Sequence, residues 1–441
     1  MKITSYKTVK GASPMQKYEH TFTKDGGYVE NFLINIYPEI EYQEIKGFGG
    51  AFTEAAAVTL DKLSKSTREK VIKMYFDKEE GIGYNFGRVH INSCDFALGN
   101  YTCVEEGDLT LESFQIERDK KSVIPMIKEA LAYTDIELFA SPWSPPAYMK
   151  TSGRMNRGGR LRREYYPLWA EYYKKFIKAY EKEGVKIFAI TVQNEPNAEQ
   201  TWDSCLYSAE EERDFVRDYL GKKMSEIGVK IFFWDHNRER IIERSRVMLS
   251  DKAAAREISG IAFHWYSGEY YEELEAFHKL YPEMDILFSE GCCKLAKNSD
   301  GALANAERYA RDMIGNFSNY CSYFCDWNLL LDEKGGPNHV GNFHEAPILA
   351  NTETDELYIR DSFYYIAHFS KFIKKGAGRI ATSRFSDKIE AVSFKNPDGS
   401  VVTVVLNRTD SDVDYTLRIA GNLVSAKSEA HSIATYLFEN I

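Results

Sequence analysis

Histidine and cysteine are sparse and scattered in this chain, with nine His and seven Cys in 441 residues. No CxxC pair, HExxH stretch or His-x-His pair on a first strand is available to build a zinc or metal-dependent barrel hydrolase site. There is no Walker A sequence. Gly81-Ile-Gly-Tyr-Asn-Phe-Gly87 has one residue too many for a dinucleotide loop, and Gly47-Phe-Gly-Gly50 lacks the third glycine. Neither a metal nor a cofactor is expected. No apolar run approaches the ~20 residues needed to cross a bilayer. Met1–Lys10 is polar and carries no signal sequence. The expectation is a soluble cytoplasmic protein, or a secreted one whose leader has been trimmed. Positive charge is in deficit too. The formal charge of −10 argues against nucleic acid as a partner, because phosphate binding needs a basic surface. The cysteines, Cys94, Cys103, Cys205, Cys292, Cys293, Cys321 and Cys325, are odd in number and irregular in spacing, which points to free thiols. Cys321 and Cys325 are expected on one face of one strand. The sequons at Asn100, Asn316 and Asn407 are read as chance.

What is present is enough apolar sequence for a large core, 44% of the chain, and many aromatics, 29 Tyr and 26 Phe. The length suits a large barrel with an accessory domain. Eight short apolar segments read as strands: Glu44–Phe48, Tyr84–Ile91, Ile136–Ala140, Ile187–Val192, Ile231–Trp234, Ile261–His264, Ile286–Ser289 and Tyr320–Asp326. Helical periodicity lies between most of them. Tyr165–Lys182 is an example, and Ser208-Ala-Glu-Glu211 reads as a capped helix start. Continuous apolar strands alternating with helices imply a parallel sheet covered by helices. Eight such units predict an α/β fold, a (β/α)8 TIM barrel. After Gly376 the helical period ends. Lys388–Lys395, Val401–Asn407, Tyr415–Ile419 and Ile433–Phe438 read as strands, with a turn at Asn396-Pro-Asp-Gly399. The expected organisation is a barrel over 44–375 and a side antiparallel β-sandwich from 376–441, joined by the strands of 1–43.

In such barrels the chemistry sits at the C-terminal strand ends. Reading those ends gives Arg88 and Asp95, Ser141-Pro-Trp143, Asn194-Glu195, His264-Trp-Tyr266, Ser289-Glu290 and Asp326-Trp327-Asn328. Glu195 and Glu290 would enter one pocket from different walls. Two carboxylates flanking a bond are what glycoside hydrolysis requires, one protonated to release the leaving oxygen and one ionised. Pro196 ends the fourth strand behind Glu195, and Asn194 can hold a sugar hydroxyl. Trp143, Trp265 and Trp327 are expected to line the pocket, where indole faces stack on a pyranose.

These residues fall in blocks that resemble glycoside hydrolase family 30, in particular its glucosylceramidase (acid β-glucosidase) branch. The blocks are GFGGAFTEAAA (Gly47–Ala57), INSCDF (Ile91–Phe96), ASPWSPPAYMKT (Ala140–Thr151), TVQNEP (Thr191–Pro196), FHWY (Phe263–Tyr266), LFSEGC (Leu287–Cys292), DWNLLLDEKGGPN (Asp326–Asn338) and HFSKFI (His368–Ile373). The resemblance implies a (β/α)8 barrel with a side β-sandwich and a retaining β-glycosidase acting on a small-molecule or glycolipid β-glycoside. It implies Glu195 as general acid/base and Glu290 as nucleophile. Asp95, Trp143, Asn194, Trp327 and Asn342 fall where the family holds the glycone. Arg88 and Tyr266 would orient the nucleophile, with His264 in or behind the pocket. Tyr148 and the Asn338-His-Val-Gly-Asn-Phe343 loop depart from relatives and are expected to shape the leaving-group side. Asp95 and that loop suggest a closed pocket, hence exo action on β-D-glucosides. The alternatives are a β-xylosidase, an endo-acting glucanase or xylanase of the same family, and a non-catalytic sugar-binding protein.

Overall fold

The computed structural model describes residues 2–10 and 12–441. Met1 and Gly11, part of the predicted N-terminal segment, lie outside the described residues. Eight parallel strands close into a barrel: β1 Gly47–Phe52, β2 Phe86–Ile91, β3 Glu137–Pro142, β4 Ile187–Thr191, β5 Lys230–Asn237, β6 Gly260–His264, β7 Asp285–Glu290 and β8 Tyr323–Asn328. Phe86, Phe139, Ala189, Phe232, Ala262, Leu287, Tyr323 and Cys325 fill its interior. These come from every strand except β1. Each buried Phe contributes about 1.5–3 kcal/mol. Strand β1 supplies glycine instead, because a Cβ on Gly49 would lie 1.7 Å from the Phe86 carbonyl oxygen.

A second, larger core separates the strands from the surrounding helices. The helix Tyr166–Lys182 buries Trp169, Tyr172, Tyr173, Phe176, Ile177 and Tyr180 there, the stripe that its 3.6-residue period predicts. Ser208 caps the next helix reciprocally with Glu211. Among the described residues no helix is long and apolar enough to cross a membrane.

Ten further strands form one hydrogen-bonded sheet that folds into a β-sandwich around Ile34, Ile36, Val405, Leu417, Tyr436 and Phe438. Lys2–Val9 pairs antiparallel with Ser432–Glu439, and Leu33–Ile45 pairs antiparallel with Ala377–Arg384. The first and last parts of the chain thus make one domain. Several details depart from expectation. Glu44 and Ile45 belong to the sandwich, and β1 begins at Gly47, since Lys46 turns aside to pair with Asp285. The sandwich is not wholly antiparallel: Leu33–Ile45 runs parallel to Val413–Ile419. The strands Ala377–Arg384 and Asn422–Ser428 were not foreseen. All seven cysteines are free and buried. Cys325 faces the barrel interior whereas Cys321 precedes β8 and packs in the outer core, so they do not share a face. Asn316 and Asn407 are buried, which closes two of the three sequons.

Candidate active site

The site is organised by two β-bulges. In β5, Ala262 pairs with Trp234 but Phe263 pairs with His236, so Asp235 is an extra residue. Trp234 and Asp235 take positive φ, 74° and 55°. Simple alternation after the interior residue Phe232 would aim Trp234 inward. The bulge sends Trp234 to the outer core and turns Asp235 into the barrel. In β7, Ser289 is the extra residue between the pairs Phe263–Phe288 and His264–Glu290, and Glu290 is thereby brought to the inner side.

Asp235 is completely buried and accepts four hydrogen bonds. Its donors are Arg88 Nη2 (2.7 Å), Thr191 Oγ1 (2.6 Å), Ser289 Oγ (2.6 Å) and His264 Nε2 (2.9 Å). Burial pushes this carboxyl up, but the Arg88 charge and the His264 bond outweigh it and hold Asp235 well below the usual carboxylate range. Arg88 is fully buried and uses all five N–H groups. Besides Asp235 it donates to Ser141 Oγ (3.1 Å), the Ser289 carbonyl (3.2 Å), Asn194 Oδ1 (2.9 Å) and Glu290 Oε2 (2.7 Å). A paired, fully hydrogen-bonded guanidinium is the form in which a charge tolerates such burial.

Glu195 follows β4 with φ +45°, a left-handed backbone that costs a non-glycine residue about 1–3 kcal/mol. Its N–H bonds the Asp235 carbonyl at 3.0 Å, and the Asn194 N–H bonds the Pro142 carbonyl at 2.9 Å. Oxygens of Glu195 and Glu290 and a nitrogen of His264 lie within 4.8 Å of one another. Burial would lower His264. The Glu290 charge, with the bonds to Asp235 and Glu195, instead lifts it to about 9. Both ring nitrogens face carboxylate oxygens, an arrangement that suits the doubly protonated, positively charged ring.

The two glutamates titrate as a unit. Burial raises Glu290 against the pull of His264 and Arg88. Glu195, although buried, is drawn down by the His264 bond and the nearby His236. The hydrogen bonds point the other way. Both Glu290 oxygens already face donors, Arg88 Nη1 at 2.7 Å and Tyr266 Oη at 2.9 Å. A proton on Oε2 would oppose the guanidinium, and one on Oε1 would require the Tyr266 hydroxyl to turn its own hydrogen toward Cys292 Sγ, 3.2 Å away. Glu195 Oε1 has only a long contact to His264, 3.3 Å, which leaves its other oxygen able to carry hydrogen. The donor pattern decides between them, because Arg88 cannot lose its proton, and Glu290 is the member built to stay ionised.

The cavity holding both glutamates has a volume of about 230 Å³ and is also lined by Asp95, Trp143, Gln200, Trp202, His236, Asn237, Tyr266, Cys292, Trp327, Asn342 and His344. Trp143 and Trp327 stack at 5.2 Å, and the Arg88 guanidinium lies 4.7 and 5.4 Å from their centroids. Burial first, then the charges of Glu290, Glu195 and Asp203, push Asp95 well above the usual carboxylate range. It can therefore donate a hydrogen bond to a sugar oxygen. Three predicted residues stand behind the cavity wall. Arg88 and His264 are completely buried, and Asn194 has its Oδ1 committed to Arg88. His264 thus positions Glu195 and Asp235, and the structure does not place it against a ligand. Two other expectations are corrected. Trp265 turns outward against Phe288 and Tyr309, the odd position between inward His264 and Tyr266. Tyr148 donates to the Asp108 carbonyl at 2.6 Å and packs on Tyr165, away from the cavity. Asp326 likewise faces outward, bonded to Tyr309 Oη at 2.6 Å. Sequence reasoning missed Asp235, His236, Gln200 and Trp202. Ending the fifth strand at Trp234 hid the first two, although Trp-Asp-His-Asn at a strand end was the signal.

Comparison with known proteins supplies independent findings. The model of the glycosyl hydrolase family 30 TIM-barrel domain matches residues 45–373, and that of the family's beta sandwich domain matches 376–436. The chain is 37% identical to lysosomal acid glucosylceramidase of Mus musculus over 429 residues, covering 92% of this chain and 83% of that protein. The crystal structure of SrfJ from Salmonella typhimurium superposes with TM-score 0.97 at 36% identity, covering all of both chains. The endo-β1,6-glucanase BT3312 superposes with TM-score 0.90 at 28% identity, covering 100% of this chain and 99% of that one.

Proposed function

The chain belongs to glycosyl hydrolase family 30, and from that premise we propose that it is a retaining, exo-acting β-glycosidase that hydrolyses β-D-glucosides, a reading supported by its likeness to lysosomal acid glucosylceramidase. The observation that carries this is the approach of the Glu195 and Glu290 carboxyl oxygens to within 4.8 Å. Retaining enzymes place their carboxyl groups about 5–5.5 Å apart, and inverting ones leave about 6.5–9.5 Å for a water. Glu290, ionised beside Arg88 and Tyr266, attacks the anomeric carbon. The glycosidic C–O bond breaks, and Glu195 gives its proton to the leaving oxygen. Glu195 then takes a proton from water, which displaces Glu290 and returns the starting enzyme. Trp143 and Trp327 offer faces for the sugar, and Asp95 and Asn342 offer polar contacts. The seven free cysteines suit a reducing compartment, and we place the protein in the cytoplasm.

A second reading, an endo-acting β-1,6-glucanase, draws on the likeness to BT3312 and on the polar residues Gln200, His236 and Asn237 near Glu195. The test is initial rates on aryl β-D-glucoside, aryl β-D-xyloside and a β-1,6-linked gluco-oligosaccharide, with Glu290→Gln as control. Release of β-glucose from the aryl glucoside and a dead variant are expected. Cleavage of the oligosaccharide alone favours the glucanase. Sugar binding without cleavage of any of the three overturns the enzyme reading.

A further inference from the structure

The glycone side of the cavity is walled by two irregular segments, 93–100 with Asp95 and 338–344 with Asn342. Neither is a helix or strand, so side-chain contacts must set their spacing. One buried carboxylate, Asp203, sits between them. Its Oδ1 accepts from Ser93 Oγ at 2.8 Å and from Asn100 Nδ2 at 2.7 Å, the two ends of the Asp95 segment. Asp203 also pairs through its backbone with Asn156 and directly follows Trp202 of the cavity wall. Its Oδ2 has no hydrogen-bond partner among the described residues, although the residue is fully buried.

The nearest group is His339 of the other segment, whose Nε2, also without a hydrogen bond, lies 3.6 Å away. The ring's orientation follows from its other contacts. His339 Nδ1 is 3.1 Å from the Ala97 carbonyl, which can only accept, so Nδ1 carries a hydrogen. The His339 backbone N–H also reaches the Asp95 carbonyl at 3.4 Å. A neutral ring with its hydrogen on Nδ1 presents a bare Nε2 to the carboxylate, lone pair against lone pair. A proton held between Nε2 and Oδ2, on either partner, turns that contact into a hydrogen bond, and burial raises the Asp203 carboxyl toward carrying it.

We propose that His339 and Asp203 form a hydrogen-bonded tether between the two segments and act as positioning residues for the Asp95 and Asn342 wall. The inference rests on the glycosidase reading above. The pair draws together the four loops that meet at Asp203. The other ionisable groups that interact with the pair are Asp95, whose Oδ2 lies 3.4 Å from Asn338 Nδ2, and Lys150 and Cys94, which feel the Asp203 charge. None of these hydrogen-bonds His339 Nε2.

The test compares His339→Ala, His339→Gln and Asp203→Asn with wild type, taking KM and kcat on aryl β-D-glucoside and the Kd of a glucose-configured iminosugar. His339→Ala is expected to raise KM and Kd about five- to tenfold, with kcat changed about twofold or less. Gln carries a permanent neutral donor, so His339→Gln should restore the low KM and Kd, a rescue that loss of packing alone would not give. Asp203→Asn combined with His339→Ala should add nothing further. Unchanged KM and Kd in His339→Ala, or no rescue in His339→Gln, would overturn the tether. A wild type that binds the iminosugar without turning over glucoside fails the glycosidase reading instead, and the Kd series still decides the tether.

Discussion

Replacing Asp235 by Asn preserves its shape and removes one charge from the centre of the site. The carboxylate's four donors divide evenly, Arg88 and Thr191 on Oδ2, His264 and Ser289 on Oδ1. An amide must turn its N–H2 toward one pair. Arg88 has only donors, so the amide oxygen stays with it, and the N–H2 faces Ser289 and His264. Ser289 can rotate to accept. His264 can accept only by giving up its Nε2 proton, and it then loses the charge now raised to about 9. Removing one partner of a buried ion pair costs about 3–5 kcal/mol, and since Arg88 keeps Glu290 we take about 3. If half of this falls on the folded state, Tm drops by about 1.5–2 °C for a chain of 441 residues. The part felt at the transition state lowers kcat/KM by tenfold or more, about 1.4 kcal/mol for each factor of ten. The pH sign is defined. The native pKa of Asp235 is depressed, so its contribution is full above the unfolded value of about 3.9 and is lost as pH falls toward the native value. The Tm difference between wild type and Asp235→Asn should be flat above about pH 5 and shrink below pH 4. Thermal unfolding across pH, with initial rates on aryl glucoside, reads both effects. A variant within about 0.5 °C and twofold of wild type at pH 7 would refute the view that this carboxylate organises Arg88 and His264.

Two further expectations concern the scaffold. Gly49→Ala should fail to give folded protein, or cost about 4 kcal/mol or more in chemical denaturation, because backbone blocks the new Cβ. A Gly50→Ala control, which meets only the flexible Leu329 side chain and the more distant Trp327 carbonyl, should be milder. At the interface of the two domains, His431 lies 2.9 Å from Asp410 and 2.8 Å from Glu307 of the barrel's helix Ser299–Ser318. Asp410 and then Glu307 raise its pKa, so its stabilisation is present below the unfolded value of about 6.5 and fades as pH rises through the raised one. His431→Gln should lower Tm near pH 6 by about a degree or less, since the pair is largely solvated, and make no difference at alkaline pH.

The fold was legible because its signals are local. Eight apolar segments of strand length, separated by helical periods such as the stripe from Trp169 to Tyr180, lead to one architecture by way of the parallel-sheet rule. The sandwich was less legible where its strands are short of apolar sequence. Arg379, Thr382 and Ser383 in Ala377–Arg384 carry little of the alternation that marks a half-buried strand. Glu195 and Glu290 could be named as a pair because strand-end position and residue type are both written in the chain. Trp265 was misplaced and Asp235 overlooked for one reason. A residue's side of a strand depends on the register with the neighbouring strand, and one extra residue reverses it.

The sequence by itself therefore determined the barrel, the two-part sandwich and the two carboxylates, since periodicity, turn residues and strand ends act over a few neighbours. Tertiary structure alone decided which polar groups stand together. The bulges turn Asp235 and Glu290 inward, Arg88 then has five acceptors around it, and Asp203 meets His339 across 136 positions of chain, the difference between 339 and 203. Hydrogen-bond partners and shifted carboxyl groups arise from the low-dielectric interior that those long-range contacts enclose, and no local pattern encodes them.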